Sequence, residues 1–202
     1  SNLGHDVEVI APMPNYPTGR ILKEYRKKLF TKENIQGIRV RRHWIYPSIS
    51  KNPIKRAFSM FSFALLLWRD IFHLKRRGSS VVIIQNSPLF VSFSGILMYS
   101  LLKKTKIALN ISDIWPLSGL ELGALKKGKL YNVLKKIEKS NYKSSDLIIG
   151  QSNEILAHVN NYTVKPQFLY RNIAPVNSFN LQQNYHNGTP KIVYAGLLGI
   201  AQ

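Results

Sequence analysis

The chain has 202 residues, of which 45% are hydrophobic and 19% charged, and this composition is typical of a globular protein rather than a disordered one. It contains no cysteine, which excludes disulfide bonds, thiolate metal sites and cysteine nucleophiles. The formal net charge of +19 indicates a polyanionic partner: nucleic acid, a phosphorylated substrate or an anionic membrane surface. The plain alternative is a solvated basic face.

Short apolar segments along the chain have the pattern of β-strands. The first, Val7–Ile10, leads into a loop rich in proline and glycine over Pro12–Gly19. Alternating apolar and polar residues predict a second strand over Ile35–Arg42. Val81–Ile84 is continuously apolar, as expected of a strand buried on both faces. Ile107–Ile111 and Leu147–Ile149 repeat this mainly apolar character.

Helical patterns lie between these strands. They cover Ile54–Lys75, Phe90–Lys104, Lys129–Tyr142 and Asn153–Asn160. The alternation of strands and helices predicts an α/β fold, a Rossmann-like parallel sheet with helices on both faces. No uninterrupted apolar run reaches the ~18 residues of a membrane-spanning helix. The longest runs therefore read as buried or interfacial helices.

The last part of the chain has a different character. We expect residues 1–176 to form one Rossmann-like domain, and the polar segment 177–190 reads as a linker. A fresh strand, Lys191–Ala195, then runs into a turn that contains Gly196 and Gly199. Residues 191–202 therefore read as the opening of a second α/β domain.

Several segments, taken in order, resemble the bacterial family 4 glycosyltransferases of the GT-B fold. The resemblance is to the subgroup of capsule and O-antigen synthesis that is typified by L-fucosamine transferases. The matching segments are Leu3–Ile10, Pro14–Ile21, Ser112–Pro116, Ser145–Ile149 and Tyr194–Gln202.

The resemblance implies two Rossmann-like domains facing each other across a cleft, the first holding the acceptor and the second a nucleotide sugar. The chain would be the N-terminal domain, truncated at both ends, without its first strand and with only the first strand of the donor domain. The implied activity is retaining transfer of a sugar to a polyprenyl-diphosphate-linked saccharide, with no cofactor besides the nucleotide sugar. The implied location is the inner face of the cytoplasmic membrane, and the chain alone is expected to be inactive.

Candidate acceptor-side residues follow two of the predicted strands, because ligands of doubly wound sheets bind at the carboxyl ends of strands. Asp113 is the candidate catalytic residue, which would bond sugar hydroxyls or accept the acceptor's proton, and Trp115 follows it in the same loop. The alternative role for Asp113 is a helix N-cap. In the loop after the first strand, the Tyr16 ring would stack on a sugar, and the Arg20 guanidinium would donate two hydrogen bonds to a phosphate. The alternative is a rigid surface loop with Arg20 solvated.

Donor-side candidates lie near the end of the chain. Backbone N–H groups of the turn with Gly196 and Gly199 would approach the donor diphosphate. Asn172 stands where the resemblance places the cleft between the domains, although Asn is also an ordinary turn residue.

Basic clusters beside aromatic residues suit an interfacial segment on anionic lipid. The predicted membrane-facing residues are Arg41, Arg42, Lys55, Arg56, Arg76 and Arg77. The alternative is that the aromatic residues belong to the core and the basic residues to a solvated face. The five histidines are scattered without ligand spacing, so no metal site is predicted.

Three other functions stay open at this point. A nucleic-acid-binding module would account for the charge, although no matching fold motif is present and no nucleic acid is expected. An epimerase of the same fold that acts on nucleotide sugars, or a non-catalytic scaffold, would account for the fold.

Overall fold

The computed structural model of the protein describes residues 3–48, 53–102 and 105–171. Strands and helices alternate through these ranges. The strands are β1 (Glu8–Pro12), β2 (Phe30–Ile35), β3 (Ile38–His43), β4 (Val81–Gln85), β5 (Lys106–Ile111), β6 (Leu147–Gly150) and β7 (Gln167–Leu169). The helices are α1 (Pro53–Leu66), α2 (Ile71–Arg77), α3 (Leu89–Ser100), α4 (Leu117–Glu121), α5 (Lys129–Ser144) and α6 (Asn153–Asn160).

The strands form two sheets. The first has the order β1-β3-β2, with β1 parallel and β2 antiparallel to β3. The second has the order β4-β5-β6-β7, is parallel throughout and is flanked by helices. The predicted α/β, Rossmann-like fold is therefore confirmed.

One hydrophobic core holds the two sheets together. Leu109 and Ile111 of β5 and Ile148 of β6 are fully buried in it, together with Tyr142 of α5. Ile10 of β1 packs against the same cluster. Each fully buried aliphatic side chain stabilises the fold by about 1.5–3 kcal/mol, so this cluster is the main source of the free energy of unfolding.

The strand predicted over Ile35–Arg42 has the wrong bounds. The chain reverses inside that range, because Gln36 and Gly37 have φ angles of 51° and 82°. Two successive residues in the left-handed region make the tight turn of a hairpin between β2 and β3. Asn34 supports the turn, since its Oδ1 accepts a hydrogen bond of 2.8 Å from the Gly37 amide.

The prediction that β4 is buried on both faces is also wrong. Val82 and Ile84 pack against the core, but Val81 and Ile83 are 60% and 67% exposed. Val81 and Ile83 share the face of β4 that points away from the core, so this strand is buried on one face only. It is also the edge strand of its sheet, with β5 as its neighbour among the described strands. A continuous apolar run fits an edge strand as well as a central one.

The helix predicted over Ile54–Lys75 is present as α1 and α2, joined by a tight helical turn over Leu67–Asp70. By length and composition alone, the 21-residue run Ala57–Arg77 would reach across a bilayer. One face of that run is nevertheless packed against the domain, through Phe63, Leu67 and Leu74. This packing agrees with a buried or interfacial helix.

Arg41 and His43 of β3 meet Asp70 in one buried polar cluster. Asp70 is fully buried, its Oδ1 pairs with Arg41 Nη2, and its Oδ2 lies 2.7 Å from His43 Nε2. Burial alone would raise the pKa of Asp70, but hydrogen bonds and charge from His43 and Arg41 outweigh it and lower that pKa to about 2. The cluster joins β3 to the turn between α1 and α2.

Replacing Asp70 by Asn should lower the free energy of unfolding by about 3–5 kcal/mol, because Arg41 would keep a buried charge without its counter-charge. Urea titration at neutral pH measures this loss. The matched control is Asp6→Asn, whose carboxylate pairs with Arg39 and Arg77 at the surface and whose loss should cost under about 1 kcal/mol. Equal losses for the two variants would contradict the assignment.

The same carboxylate sets a pH dependence. Because folding lowers the Asp70 pKa from 3.8 to about 2, its stabilising contribution is fully present above pH 3.8 and is lost as the pH falls through 2. The stability difference between the wild type and Asp70→Asn should therefore shrink over that interval. A difference that stayed constant down to pH 2 would contradict the shift.

Candidate functional site

The carboxyl ends of the parallel strands lie on one side of the protein. At the opposite side, Glu8 at the start of β1 bonds to α2, with His73 Nε2 at 3.1 Å and Arg77 Nη1 at 2.8 Å. Helix α2 then leads directly into the start of β4. The amino ends of β1 and β4 are therefore neighbours, and the loops that follow β1, β3, β4 and β5 share the other edge, where ligands of such sheets bind.

The loop after β1 has a defined internal structure. Met13 is fully buried, and its amide donates a 2.9 Å hydrogen bond to a carbonyl of β3. Asn15 Nδ2 donates to Met13 O at 3.0 Å, and the Gly19 amide donates to Asn15 O at 2.7 Å. Gly19 has a φ of 63°, a conformation that glycine adopts without steric cost. These bonds fix the loop that presents Tyr16 and Arg20.

Two adjoining open clefts, of about 410 Å³ and 440 Å³, lie beside this loop. We call them together the cationic cleft. The first is lined by Arg20, Ile21, Arg26, Lys27, Trp44 and Pro47, and the second by Thr18, Arg20, Ile21, Leu22, Lys23 and Arg26. Arg20, Ile21 and Arg26 belong to both.

The cations of this cleft lack acidic partners in the described part of the chain. Arg20, Lys23, Arg26 and Lys27 form no ion pair there. Arg26 is held in place because its Nε donates to Ile21 O at 3.1 Å. Lys27 has a φ of 60°, which is uncommon for a residue other than glycine. The segment also carries one exposed carboxylate, Glu24, which forms no ion pair with these four cations. Four neighbouring cations without an ion-pair partner, two of them arginines, favour binding of a phosphate or diphosphate.

The predicted acceptor-binding residues of this loop have different positions. Arg20 lines both parts of the cationic cleft. Tyr16 is 88% exposed at the tip of the loop and does not line the cleft. Its predicted role as a stacking face stays a prediction. Trp44, which is not among the predicted site residues, supplies the aromatic wall instead.

Asp113 lies in the loop after β5 and is exposed. Its carboxylate makes no hydrogen bond or ion pair with the residues that the structure describes. The alternative role as a helix N-cap is wrong, because α4 begins at Leu117 with Pro116 as its cap residue. No hydrogen bond in the described ranges joins Asp113 or Trp115 to the Arg20 loop, so the two halves of the candidate site are separate in this structure.

Trp115 is half-buried, and the Cζ3–Cη2 edge of its ring lies against Gly119 of α4. A Cβ atom added to Gly119 would overlap these two ring atoms. This edge of the indole is therefore packed inside the protein, and the predicted role of Trp115 in acceptor binding has only the rest of the ring available.

Replacing Gly119 by Ala should displace the Trp115 ring and lower the free energy of unfolding by about 1–3 kcal/mol, the usual cost of overpacking. Gly128→Ala is the matched control, because nothing lies within 4 Å of an added Cβ and the backbone there is extended. Thermal unfolding of both variants measures the difference. An unchanged Gly119→Ala protein would show that Trp115 does not hold this position.

A polar network next to Asp113 was not foreseen from the sequence. Asn110 Nδ2 donates to Gln85 Oε1 at 2.7 Å, and Gln85 Nε2 donates to Ser112 Oγ at 2.8 Å. The available signal was one polar residue near the end of each apolar strand: Gln85 ends β4, and Asn110 interrupts the apolar residues of β5. The network orders the carboxyl ends of β4 and β5 beside the candidate catalytic residue.

Buried polar side chains connect the loop after β4 to helices α3 and α5. Asn141 Nδ2 of α5 donates to Ser92 Oγ of α3 at 2.9 Å, and Ser92 Oγ lies 3.1 Å from Asn86 O. Asn86 Nδ2 is buried and has no hydrogen-bond partner in the described part of the chain. Because these contacts join residues far apart in sequence, no local pattern predicted them.

Helices α5 and α6 are joined through a buried carboxylate. Tyr142 donates its hydroxyl hydrogen to Glu138 Oε1 at 2.9 Å, and His158 Nε2 lies 2.9 Å from the same oxygen. Burial is the main cause that raises the pKa of Glu138, and burial also raises the pKa of Tyr142. These groups are enclosed in the core, so we interpret them as structural.

Two of the predicted membrane-facing residues are engaged inside the domain. Arg41 is buried against Asp70, so the prediction is wrong for this residue. The reason is that it points to the inner side of β3. Arg42 is mostly buried, pairs with Glu33 and donates from Nη1 to Pro12 O at 3.2 Å.

The other predicted membrane-facing residues lie on the helices. Arg77 pairs with Asp6 and Glu8. Lys55 and Arg76 are exposed, and neither has an acidic partner in the described ranges. The Arg56 side chain lies outside the part that the structure describes.

The donor-side predictions cannot be placed. Asn172, Gly196 and Gly199 lie outside the described residues, as do the linker 177–190 and the strand within 191–202. Among the residues that are described, no group of three or more histidine or acidic side chains is arranged to hold a metal ion.

Comparison of the chain with protein-family models, with curated proteins and with solved structures found no match. The site is therefore interpreted from its geometry and from the resemblance of the sequence segments.

Proposed function

We propose that this chain is the acceptor side of a retaining glycosyltransferase of surface polysaccharide synthesis. The enzyme would move a sugar from a nucleotide sugar to a polyprenyl-diphosphate-linked saccharide, without a metal or another cofactor. A donor-binding domain would complete the site. The resemblance to family 4 glycosyltransferases supports this reaction class.

The cationic cleft is the observation that carries the proposal. A polyprenyl-diphosphate-linked saccharide combines a diphosphate with a sugar and an apolar tail. The guanidinium groups of Arg20 and Arg26 suit the diphosphate, since planar forks bond phosphate oxygens in pairs. Trp44, in the wall of the same cleft, offers an aromatic face to the first sugar.

Asp113 is the candidate for contact with the reacting hydroxyl. It is exposed at the carboxyl end of β5, and no neighbouring cation in the described ranges neutralises it. Such a carboxylate accepts a hydrogen bond from a sugar hydroxyl, orients it and takes its proton as the new bond forms. The nearest carboxylate along the chain is Glu121, which is exposed at the end of α4. We therefore assign no double-displacement nucleophile to this chain.

Arg20→Ala should weaken binding of inorganic pyrophosphate about tenfold or more, because a charged hydrogen bond contributes about 1.5–3 kcal/mol. Isothermal titration calorimetry at low ionic strength measures the affinity. Lys139→Ala is the matched control, since it removes an equal charge from an exposed position on α5.

Two outcomes would contradict the anion site. One is equal pyrophosphate affinity for Arg20→Ala and Lys139→Ala. The other is tight, salt-sensitive binding of a DNA oligonucleotide with no measurable pyrophosphate binding, which would favour the nucleic-acid-binding alternative.

Asp113→Asn should lower turnover by about 10²- to 10⁴-fold in an enzyme that contains this chain and a donor-binding domain, because general acid–base groups contribute rate factors of that size. Glu121→Gln removes the neighbouring carboxylate and should leave turnover unchanged. The assay follows release of the nucleoside diphosphate from a nucleotide sugar. Normal turnover by Asp113→Asn would remove this residue from the mechanism.

A further inference from the structure

Large apolar side chains form a line along the outer face of α1 and α2. Phe58, Phe61, Leu65 and Phe72 are separated by three, four and seven positions, the spacing of one helix face. All four are exposed, Leu65 by 71% and Phe72 by 74%. Phe63 on the inner face is buried. The exposed line is therefore separate from the core of the domain.

Helix α3 widens this line into a surface. The Phe61 and Phe90 rings lie 4.5 Å apart, and Trp68 Nε1 donates to Ser94 Oγ at 3.0 Å. These contacts place α3 alongside α1, and Leu97 and Leu101 continue the exposed apolar surface at the end of α3. We call the set Phe58, Phe61, Leu65, Phe72, Leu97 and Leu101 the apolar stripe.

The charges around the apolar stripe have one sign. Lys55, Lys75 and Arg76 are exposed on the same helical run. The only carboxylate in that run is Asp70, which is buried and paired. Long basic side chains beside exposed Phe and Leu are the composition of a surface that lies on an anionic bilayer. A second copy of the chain would instead bring like charges together around the stripe.

An aromatic row connects the apolar stripe to the cationic cleft. Trp44, in the wall of the cleft, lies 6.5 Å from Tyr46 between ring centroids, and Tyr46 lies 5.1 Å from Phe58. The Tyr46 amide also donates to Ser62 Oγ of α1 at 2.8 Å. The cleft and the stripe therefore meet at the first turns of α1.

We infer that the apolar stripe docks the protein on an anionic lipid bilayer, with its Phe and Leu side chains in the acyl boundary and the basic residues at the headgroups. Docking in this way places the cationic cleft at headgroup level. The diphosphate of a membrane lipid would then reach Arg20 while its tail remains in the bilayer. This last step rests on the proposed function, whereas the docking itself does not.

Vesicle flotation tests the docking surface. The wild type should float with vesicles of phosphatidylcholine and phosphatidylglycerol, and weakly or not at all with phosphatidylcholine alone. Leu65→Glu and Phe72→Glu should each reduce the apparent vesicle affinity at least about tenfold, since each removes a buried apolar side chain from the bound state. Leu130→Glu places the same charge at a 60% exposed leucine of α5 and should reduce it much less.

Three results would overturn the inference. Equal losses for Leu65→Glu and Leu130→Glu would mean that net charge alone drives binding. Vesicle binding that all three variants retain would mean that the stripe is not the contact. A wild-type dimer that Leu65→Glu turns into a monomer, without vesicle binding by either, would mean that a second copy covers the stripe. Circular dichroism confirms that each variant is folded.

The docking and the proposed function fail separately. Flotation that depends on the stripe, together with no pyrophosphate binding in the cleft, would leave the docking surface standing and remove the proposed function. Pyrophosphate binding that depends on Arg20, without flotation, would overturn the docking alone.

Discussion

The buried pairing of Asp70 with Arg41 and His43 is the constraint on which the rest of the structure depends. It joins β3 to the turn between α1 and α2, across a long stretch of sequence. The loop that carries Arg20 is hydrogen-bonded to the end of β3, and the apolar stripe lies on α1 and α2. One buried ion cluster therefore holds the cationic cleft and the apolar stripe in a fixed relation.

The positions of the acidic residues determine which cations of the chain are neutralised and which remain unpaired. Five of the ten acidic side chains form ion pairs with arginine or lysine: Asp6, Glu8, Glu33, Asp70 and Asp146. They neutralise cations within and around the two sheets. The cations of the cleft and those around the stripe keep their charge, and so do the exposed lysines of α5. One part of the excess therefore lies where an anionic ligand and an anionic surface would be bound, and another part lies on α5.

The alternation of apolar runs and amphipathic segments predicted the α/β fold, because it reflects local periodicity. The hairpin at Gln36 and Gly37 was not predicted, because polar residues such as Lys32 and Glu33 obscure the apolar alternation of β2. Arg41 looked like a surface charge, since a buried partner 29 positions away leaves no local signal. The exposure of Phe72 and the burial of Phe63 likewise depend on the packing of the helices, which composition does not encode.

The central claim is that one surface joins a diphosphate site to a bilayer contact. Photo-crosslinking with a prenyl diphosphate that carries a photoreactive group in its tail tests it most directly, in the presence of anionic vesicles. The account predicts labelling within Phe58–Leu65, next to the aromatic row, and loss of labelling in Arg20→Ala and in the presence of excess pyrophosphate. Labelling confined to α5 or α6, or labelling that pyrophosphate does not reduce, would contradict it.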